Sequence, residues 1–356
     1  MASADDVSGA RILPITGLGP HGERPASPER VVLGQSDATR ARAAGFTLGV
    51  IMHTSASDWA RQHVAGIVAT CVRHAATVID VVDCDFDPAA QNAALDRLIG
   101  RKPDAIISLP VGNAAVADAH RRVSAAGIRL ILIDNSPSSL MPGRDYVSLI
   151  SADNFGLGEI GARLLAPHVP AGGSVGVVSY NFEFFVAAQR EIAFRKWMAA
   201  ERPDIDLVTI RFREIDDVAA AVGRCLDGHP DLGGLFAVWD TPASEALATL
   251  RSRGRRIPVT TIDLGLAIAT ALASGGCVKG IGAQQPYDQG VVVATATITA
   301  LLGLEVPAWI VLPALEVTRE RVVASYESVW HAAAPPELVA LVRERATAAG
   351  REDGAT

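Results

Sequence analysis

The feature that most constrains the fold is a repeated alternation of short apolar runs with longer segments of helical periodicity. The runs are rich in valine, isoleucine and leucine, while the segments between them space apolar residues as an amphipathic helix does. Short strands separated by helices require right-handed crossovers, and the pattern therefore predicts an α/β fold with parallel sheets covered by helices. The predicted strands cover 46–52, 77–82, 105–109, 129–133, 146–151, 174–179, 206–212, 234–238, 257–262, 278–283 and 309–313.

A stretch rich in proline, serine and glycine at 136–143 interrupts this pattern, which then starts again. We therefore predict two Rossmann-like lobes with parallel sheets and a cleft between them. In open α/β sheets, ligands bind beyond the carboxyl ends of the strands. The predicted helices lie near 58–75, 88–100, 113–126, 155–166, 185–200, 215–227, 242–252 and 287–302, with a final helix beginning near 318.

Composition argues against several classes of function. The net charge of −7 and the absence of a basic patch argue against nucleic acid or an anionic membrane as a partner. No apolar run is long enough to span a bilayer. The four cysteines and the histidines lack the spacing of zinc sites, so we expect no metal.

Two short motifs bear on cofactors and catalysis. The glycines of 156–161 match GxGxxG, but the next strand does not end in the acidic residue that a dinucleotide site needs. The serine at position 179 lacks the flanking glycines of a nucleophile elbow. We therefore expect no cofactor and no enzymatic activity.

The two ends of the chain lack the alternation of strands and helices that its middle shows. Residues 1–45 are rich in proline and glycine, and no apolar core of a signal peptide is visible there. We expect a flexible N-terminal arm with a short helix at 36–44, and a peripheral C-terminal tail at 335–356.

Polar and aromatic side chains collect where the predicted strands end, which makes them candidates for a ligand site. They supply the carboxylates, amides, guanidinium and ring faces that a polyol needs, because each hydroxyl both donates and accepts hydrogen bonds. Singly, each could instead be a helix cap or a core aromatic, and His53 could equally serve loop packing. The candidates are His53, Ser55, Asp58, Trp59, Asp134, Asn135, Phe185, Arg190, Trp239, Asp240, Asp263 and Gln284.

The order and spacing of several motifs resemble the ribose-binding (type I periplasmic binding protein) family, the solute receptors of ABC importers. The resemblance covers roughly 46–330. It rests on Ser57-Asp58-Trp59, Lys102–Ile107, Ile133-Asp134, Ser151–Gly156, Arg190–Phe194, Leu235–Asp240, Thr261–Asp263 and Ala283–Tyr287.

The resemblance implies roles for particular residues. Trp59 would form an aromatic wall, Asp134 and Asp263 would bind hydroxyls, Arg190 would be a bidentate arginine, and Gln284 an amide at the lobe crossing. Trp239 stands where many relatives have asparagine, and Asn135 where ribose binders have arginine. These departures favour a polyol or pentose-like ligand other than ribose.

The resemblance also implies an organisation and a setting. The N-terminal lobe would comprise 46–150 plus about 286–312, and the C-terminal lobe 151–285 plus about 313–334, with hinges at 151–153 and 284–286. The protein would be a periplasmic monomer that serves an ABC permease. The alternatives are a cytoplasmic sugar sensor and a LacI-type effector domain without its DNA-binding part.

Overall fold

The computed structural model describes residues 11–12, 14–182 and 184–343, which form two α/β lobes. The strands are β1 (Arg11–Ile12), β2 (Thr47–Met52), β3 (Thr77–Asp83), β4 (Ala105–Ser108), β5 (Arg129–Ile133), β6 (Ser148–Ala152), β7 (Ser174–Tyr180), β8 (Asp206–Phe212), β9 (Leu232–Ala237), β10 (Val259–Ile262), β11 (Val278–Ala283), β12 (Trp309–Leu312) and β13 (Leu315–Val317). The helices are α1 (Gln35–Ala44), α2 (Asp58–Arg73), α3 (Pro88–Arg101), α4 (Ala114–Ala125), α5 (Asn154–Leu165), α6 (Phe185–Glu201), α7 (Asp217–Gly228), α8 (Asp240–Ser252), α9 (Leu266–Ala273), α10 (Pro286–Leu301) and α11 (Val322–Trp330).

Each lobe is organised around one sheet. The N-terminal lobe has a six-stranded parallel sheet in the order β12-β6-β5-β4-β2-β3. The C-terminal lobe has a seven-stranded sheet in the order β1-β13-β11-β10-β9-β7-β8, in which β13 and β1 run antiparallel at one edge. The α/β fold with two mostly parallel sheets is therefore as predicted. The short strand β13, the antiparallel edge and helix α9 were not predicted.

Local sequence signals explain where the main helices begin and end. The hydroxyl of Ser57 accepts a hydrogen bond from the amide of Ala60 at the start of α2, and Asp87 caps α3 in the same way. Gly45 ends α1 in a left-handed conformation that costs glycine little. These caps set where the three helices begin or end along the chain.

The chain passes between the lobes at Asp153, at Gln284–Gln285 and at Pro313–Ala314, where strands of one sheet lead into elements of the other lobe. The first two crossings coincide with the predicted hinge segments. The amide of Asp153 donates to the carbonyl of Leu312 (2.9 Å), and the side chain of Gln285 donates to the carbonyl of Pro313 (3.1 Å). The crossings therefore contact one another.

Helix α10 belongs to the N-terminal lobe because it lies against α2. The two helices approach closely through a pair of glycines. A β-carbon added at Gly66 would overlap the carbonyl oxygen of Tyr287, and one added at Gly290 would overlap that of His63. This contact fixes the first turns of α10 relative to the sheet beneath it.

The segment expected to be a flexible arm makes specific contacts with both lobes. β1 pairs with β13 of the C-terminal sheet, and Ala26 forms a bridge to Ile310 of β12 in the N-terminal sheet. Val31 is buried in the N-terminal core. The description of 14–45 as a free arm is thus wrong, because apolar and backbone contacts hold it, and the predicted helix is present as α1. Residues 1–10 lie outside the described part.

The C-terminal tail was also expected to be peripheral, but Leu338 is fully buried in the core of the C-terminal lobe. Residues 344–356 of that predicted tail lie outside the described residues. The division into lobes at particular residues stays a prediction, although the two sheets take β12 and β13 as it expects.

Candidate functional site

A cleft of about 320 Å³ opens between the lobes, next to the carboxyl ends of the strands. The N-terminal lobe supplies the first turn of α2, and the C-terminal lobe supplies the starts of α8 and α9 and the end of α11. Gln284 and Pro286 line it from a crossing segment. The residues that line it are Ala56, Ser57, Asp58, Trp59, Arg61, Asp240, Thr241, Ser244, Glu245, Asp263, Leu264, Gly265, Leu266, Ala267, Ile268, Gln284, Pro286, Val329 and Trp330.

The polar floor of the cleft is built around Asp263, which directly follows β10. Its Oδ1 accepts a hydrogen bond from Nε2 of Gln284 (2.6 Å), and its Oδ2 lies 3.6 Å from Nη1 of Arg190. Asp263 has a φ of 71°, which turns the chain sharply at the strand end. The floor thus combines a carboxylate, an amide and a guanidinium.

Arg190 is buried, and it also forms hydrogen bonds within the C-terminal lobe and at the hinge. Its Nε donates to Oδ1 of Asn154 (2.9 Å), and its Nη1 donates to the carbonyl oxygen of Val238 (3.0 Å). Helix α6 therefore holds the guanidinium of Arg190 in a fixed position next to Asp263. Asn154 was not among the predicted site residues, although it opens the helix directly after the hinge residue Asp153.

Asp240 and Asp263 form an acidic pair. Burial, together with the nearby charge of Asp263, raises the pKa of Asp240 to about 7. Burial also raises the pKa of Asp263, against the opposing charge of Arg190 and the hydrogen bond from Gln284. Two carboxyl groups close together in a low-dielectric site disfavour the state in which both are ionised.

Asp134 occupies the corresponding strand end of the N-terminal lobe. Its Oδ1 accepts a hydrogen bond from Nε2 of Gln289 (2.7 Å), and its φ is 55°. Burial raises its pKa to about 6, with Gln289 and Arg190 opposing the rise. The charges of Asp134, Asp263 and Arg190 therefore act on one another across the two lobes.

Of the remaining N-terminal candidates, Asp58 lines the cleft, whereas His53 and Ser55 do not. His53 packs between Trp59 and Phe86, and burial lowers its pKa to about 4, so its imidazole is neutral at pH 7. The side chain of Ser55 donates to Asp83 and is directed away from the cleft lining, whereas Asp58 pairs with Arg61 at the rim.

Seven predicted site residues are not among those that line the cleft: His53, Ser55, Asp134 and Arg190, described above, and Asn135, Phe185 and Trp239. The amide of Asn135 donates to the carbonyls of Pro110 (2.9 Å) and Gly112 (3.3 Å), and its Oδ1 accepts from the backbone N–H of Phe185 (3.3 Å). Phe185 lines a small cavity near the hinge. Trp239 packs edge-on against Tyr180 and Phe212. Their part in ligand binding stays a prediction.

Besides Asn154, the sequence analysis missed several residues in or next to the cleft, among them Trp330 and Gln289. Trp330 lines the cleft, as Trp59 does, and donates from Nε1 to the carbonyl oxygen of Leu264 (2.9 Å). Gln289 lies within the predicted long helix and gives no sign of its contact with Asp134.

Within the described residues, no cluster of histidine, cysteine or acidic side chains could hold a metal ion. In the same part of the chain, no helix is long and apolar enough to cross a membrane.

Comparison with known proteins now identifies the family. Residues 48–305 match the family model described as a periplasmic binding protein domain. The chain belongs to the periplasmic binding protein family. It is accordingly a solute-binding receptor of the kind that serves ABC importers, and not an enzyme.

Individual relatives agree with this assignment. The ribose import binding protein of Bacillus subtilis (strain 168) is 26% identical over 270 residues, which span 75% of this chain and 86% of the relative. The D-ribose/D-allose-binding protein of Pseudomonas aeruginosa is 27% identical over 195 residues, or 54% of this chain and 61% of that one.

A solved structure supports the fold. An ABC transporter solute-binding protein from Agrobacterium vitis, bound with α-D-tagatopyranose, has a TM-score of 0.70 and 23% sequence identity. The match covers 78% of this chain and 96% of that structure. The type I arrangement predicted from sequence is thereby confirmed.

Proposed function

We propose that this protein captures one sugar or polyol molecule in the cleft between its lobes and closes on it for delivery to an ABC permease. The observation that carries the proposal is the floor of the cleft, where Asp263 is held by Arg190 and Gln284. Such a floor offers both acceptors and donors, which is what a chain of hydroxyl groups requires. A second carboxylate, Asp240, extends it along the C-terminal wall.

The walls of the cleft suit the apolar faces of the same ligand. Trp59 lies on the N-terminal side and Trp330 on the C-terminal side. Ring faces of this kind stack on the C–H groups of a sugar while its hydroxyls point to the polar floor. Asp134 and Arg190 complete the hydroxyl partners when the lobes close, and Asp58 adds a carboxylate at the N-terminal rim, with His53 and Ser55 in the loop before it.

Closure follows from the way that the lobes are joined. The chain crosses at Asp153, Gln284–Gln285 and Pro313–Ala314, so a small rotation of these segments moves one lobe relative to the other. A ligand that contacts both lobes binds the closed state better and shifts the population towards it. The permease can then distinguish the filled receptor from the empty one.

The ligand is a sugar or polyol other than ribose in this proposal. Names of the relatives point to ribose, allose and tagatose for those proteins. At position 135 the amide of this chain is already engaged by two backbone carbonyls, so it does not replace the arginine charge expected in ribose binders. Trp239, Phe185 and Asn135 shape the cleft from behind its lining.

The same proposal includes the setting of the protein. The family name and the relatives support a periplasmic location and an ABC permease as the partner. We further propose a monomer that binds no nucleic acid, in keeping with the net charge of −7.

A thermal-shift screen tests the proposal. The compounds are D-ribose, D-allose, D-tagatose, further pentoses and hexoses, and tetritols and pentitols. A ligand present at about 100 times its Kd stabilises the folded state by about 2.7 kcal/mol, which raises the unfolding midpoint measurably. Arg190→Met should lose that rise, whereas Arg253→Met, which removes an exposed arginine paired with Asp227, should keep it. The proposal fails if no compound raises the midpoint of the wild-type protein.

A further inference from the structure

The segment from Gln284 to Gln289, which leads into the first turn of α10, contacts one carboxylate from each lobe. Just before the helix, Nε2 of Gln284 donates to Oδ1 of Asp263 in the C-terminal lobe (2.6 Å). Five positions later, Nε2 of Gln289 donates to Oδ1 of Asp134 in the N-terminal lobe (2.7 Å). The two glutamines thus make the same contact with two strand-end aspartates on opposite sides of the hinge.

Gln289 is placed for this contact by close packing around it. It is fully buried, and its Nε2 also lies 3.3 Å from the carbonyl oxygen of Ile150 on β6. The glycine contact between α2 and α10, at Gly66 and Gly290, leaves the first turns of the helix little room to shift. The amide of Gln289 therefore has a fixed donor direction.

Asp134 depends on such a donor for its geometry. It has a left-handed backbone conformation that is strained for a residue with a side chain. Its backbone N–H donates to the carbonyl oxygen of Ile150 (3.0 Å), the same oxygen that faces Gln289. With the backbone tied and Oδ1 engaged by Gln289, the plane of the carboxylate and the direction of its second oxygen are set.

We propose that Gln289 is a positioning residue of the ligand site, which holds the Asp134 carboxylate oriented and charged so that it can accept a hydrogen bond from a ligand hydroxyl. The inference rests on the proposed function for the hydroxyl, but the contact itself exists without a ligand. Gln289 does for the N-terminal lobe what Gln284 does for the C-terminal lobe. One short segment thereby prepares both sides of the cleft.

Several groups act on Asp134 and decide how it titrates. Burial is the main cause that raises its pKa, to about 6, and the charge of Asp263 contributes to this rise. Gln289, the charge of Arg190 and the backbone of Ala152 oppose this rise. Removing the Gln289 donor should therefore raise the pKa of Asp134 by about one unit, which is the size expected for one lost hydrogen bond to a carboxylate.

The test uses Gln289→Leu, which removes the donor but keeps an apolar side chain of similar length. Thr297→Val is the matched control, because Thr297 is buried on the same helix and its hydroxyl bonds only to the carbonyl oxygen of Val293 among the contacts described. Carbon-13 NMR of aspartate-labelled protein, assigned with Asp134→Asn, gives the pKa of Asp134 without any ligand. Gln289→Glu, which keeps the shape, should also raise that pKa because two carboxyl groups would share one proton.

Binding supplies the second readout, with D-ribose, D-allose and D-tagatose as probes. The ratio of variant to wild-type Kd for Gln289→Leu should fall about fivefold between about pH 6 and about pH 8, as Asp134 regains its charge. A purely structural defect would weaken binding equally at both pH values. The control Thr297→Val should likewise give a Kd ratio that does not change with pH. The inference is overturned if Gln289→Leu and Gln289→Glu both leave the pKa of Asp134 unchanged, or if the Kd ratio is independent of pH. If the pKa rises while wild-type protein binds no probe, the positioning contact stands and the proposed ligand class fails.

Discussion

Replacing Arg190 by methionine should destabilise the empty protein, and the loss should grow with pH. Arg190 is only 4% exposed and contacts Asn154, the carbonyl of Val238 and Asp263. Methionine fills much of the same volume but leaves Asp263 without its buried counter-charge. Removing one partner of a buried pair costs about 3–5 kcal/mol of unfolding free energy.

The pH dependence follows from the carboxyl groups. The guanidinium lowers the pKa values of Asp263 and Asp134, both of which burial has raised above the unfolded value. An acid whose folded pKa is raised binds more protons when folded, so its contribution to stability is present at low pH and is lost as pH rises through the folded pKa. Without Arg190 both pKa values rise further. The extra loss should therefore appear above about pH 6, where Asp134 titrates, and each unit by which the pKa of Asp134 rises adds about 1.4 kcal/mol.

Urea denaturation at about pH 5 and about pH 8 measures this difference, because the midpoint and slope give the unfolding free energy at each pH. Arg253→Met is the control, since its exposed ion pair with Asp227 should contribute at most about 1 kcal/mol at either pH. Equal losses for Arg190→Met at the two pH values would refute the account of Arg190 as the counter-charge of this floor.

Three further predictions concern single contacts. Asp134→Asn should change the unfolding free energy of the empty protein more favourably at about pH 8 than at about pH 4, by about 3 kcal/mol, because a carboxyl group with a pKa of about 6 no longer has to ionise. Denaturation measured across this pH range should therefore show a flatter profile than that of the wild type. Gly290→Ala should lower the unfolding free energy by about 1–3 kcal/mol, since its β-carbon would overlap a backbone carbonyl of α2. Gly100→Ala, in open space on α3, should instead raise the unfolding free energy by about 0.5–1 kcal/mol, and calorimetry must show these opposite signs. Val31→Ala should cost about 1.6 kcal/mol, while the neighbouring Val32→Ala should be neutral, because Val31 is 2% exposed and Val32 is 74% exposed; equal effects on unfolding would contradict the packing of the N-terminal segment.

Much of the fold was predictable because periodicity and capping act over a few residues. The strand at 206–212 and the helix that begins at Asp87-Pro88 were placed from apolar spacing and a cap alone, and they agree with β8 and α3. Helix α9 was missed because it is apolar throughout and offers no amphipathic period, and β13 because three residues give too short a pattern. Local signals fail where tertiary packing alone selects the conformation.

The candidate site was predictable in part for the same reason. Strand ends are visible in the sequence, so Asp134, Asp240 and Asp263 could be named as residues that face the cleft region. The sequence does not indicate that the side-chain amide of Asn135 donates to backbone carbonyls or that Trp239 packs against Tyr180. Those outcomes depend on which side chains the loops bring close.

By itself, then, the sequence determined the two α/β lobes, the strand ends that carry carboxylates and a resemblance to solute receptors. Only the tertiary structure decided that the N-terminal segment lies across both lobes, that Trp330 lines the cleft as Trp59 does, and that Gln289 holds Asp134. The physical reason is distance along the chain. The contact between Gln289 and Asp134 joins residues 155 positions apart, and no local pattern encodes a hydrogen bond that exists only after two distant segments have packed together.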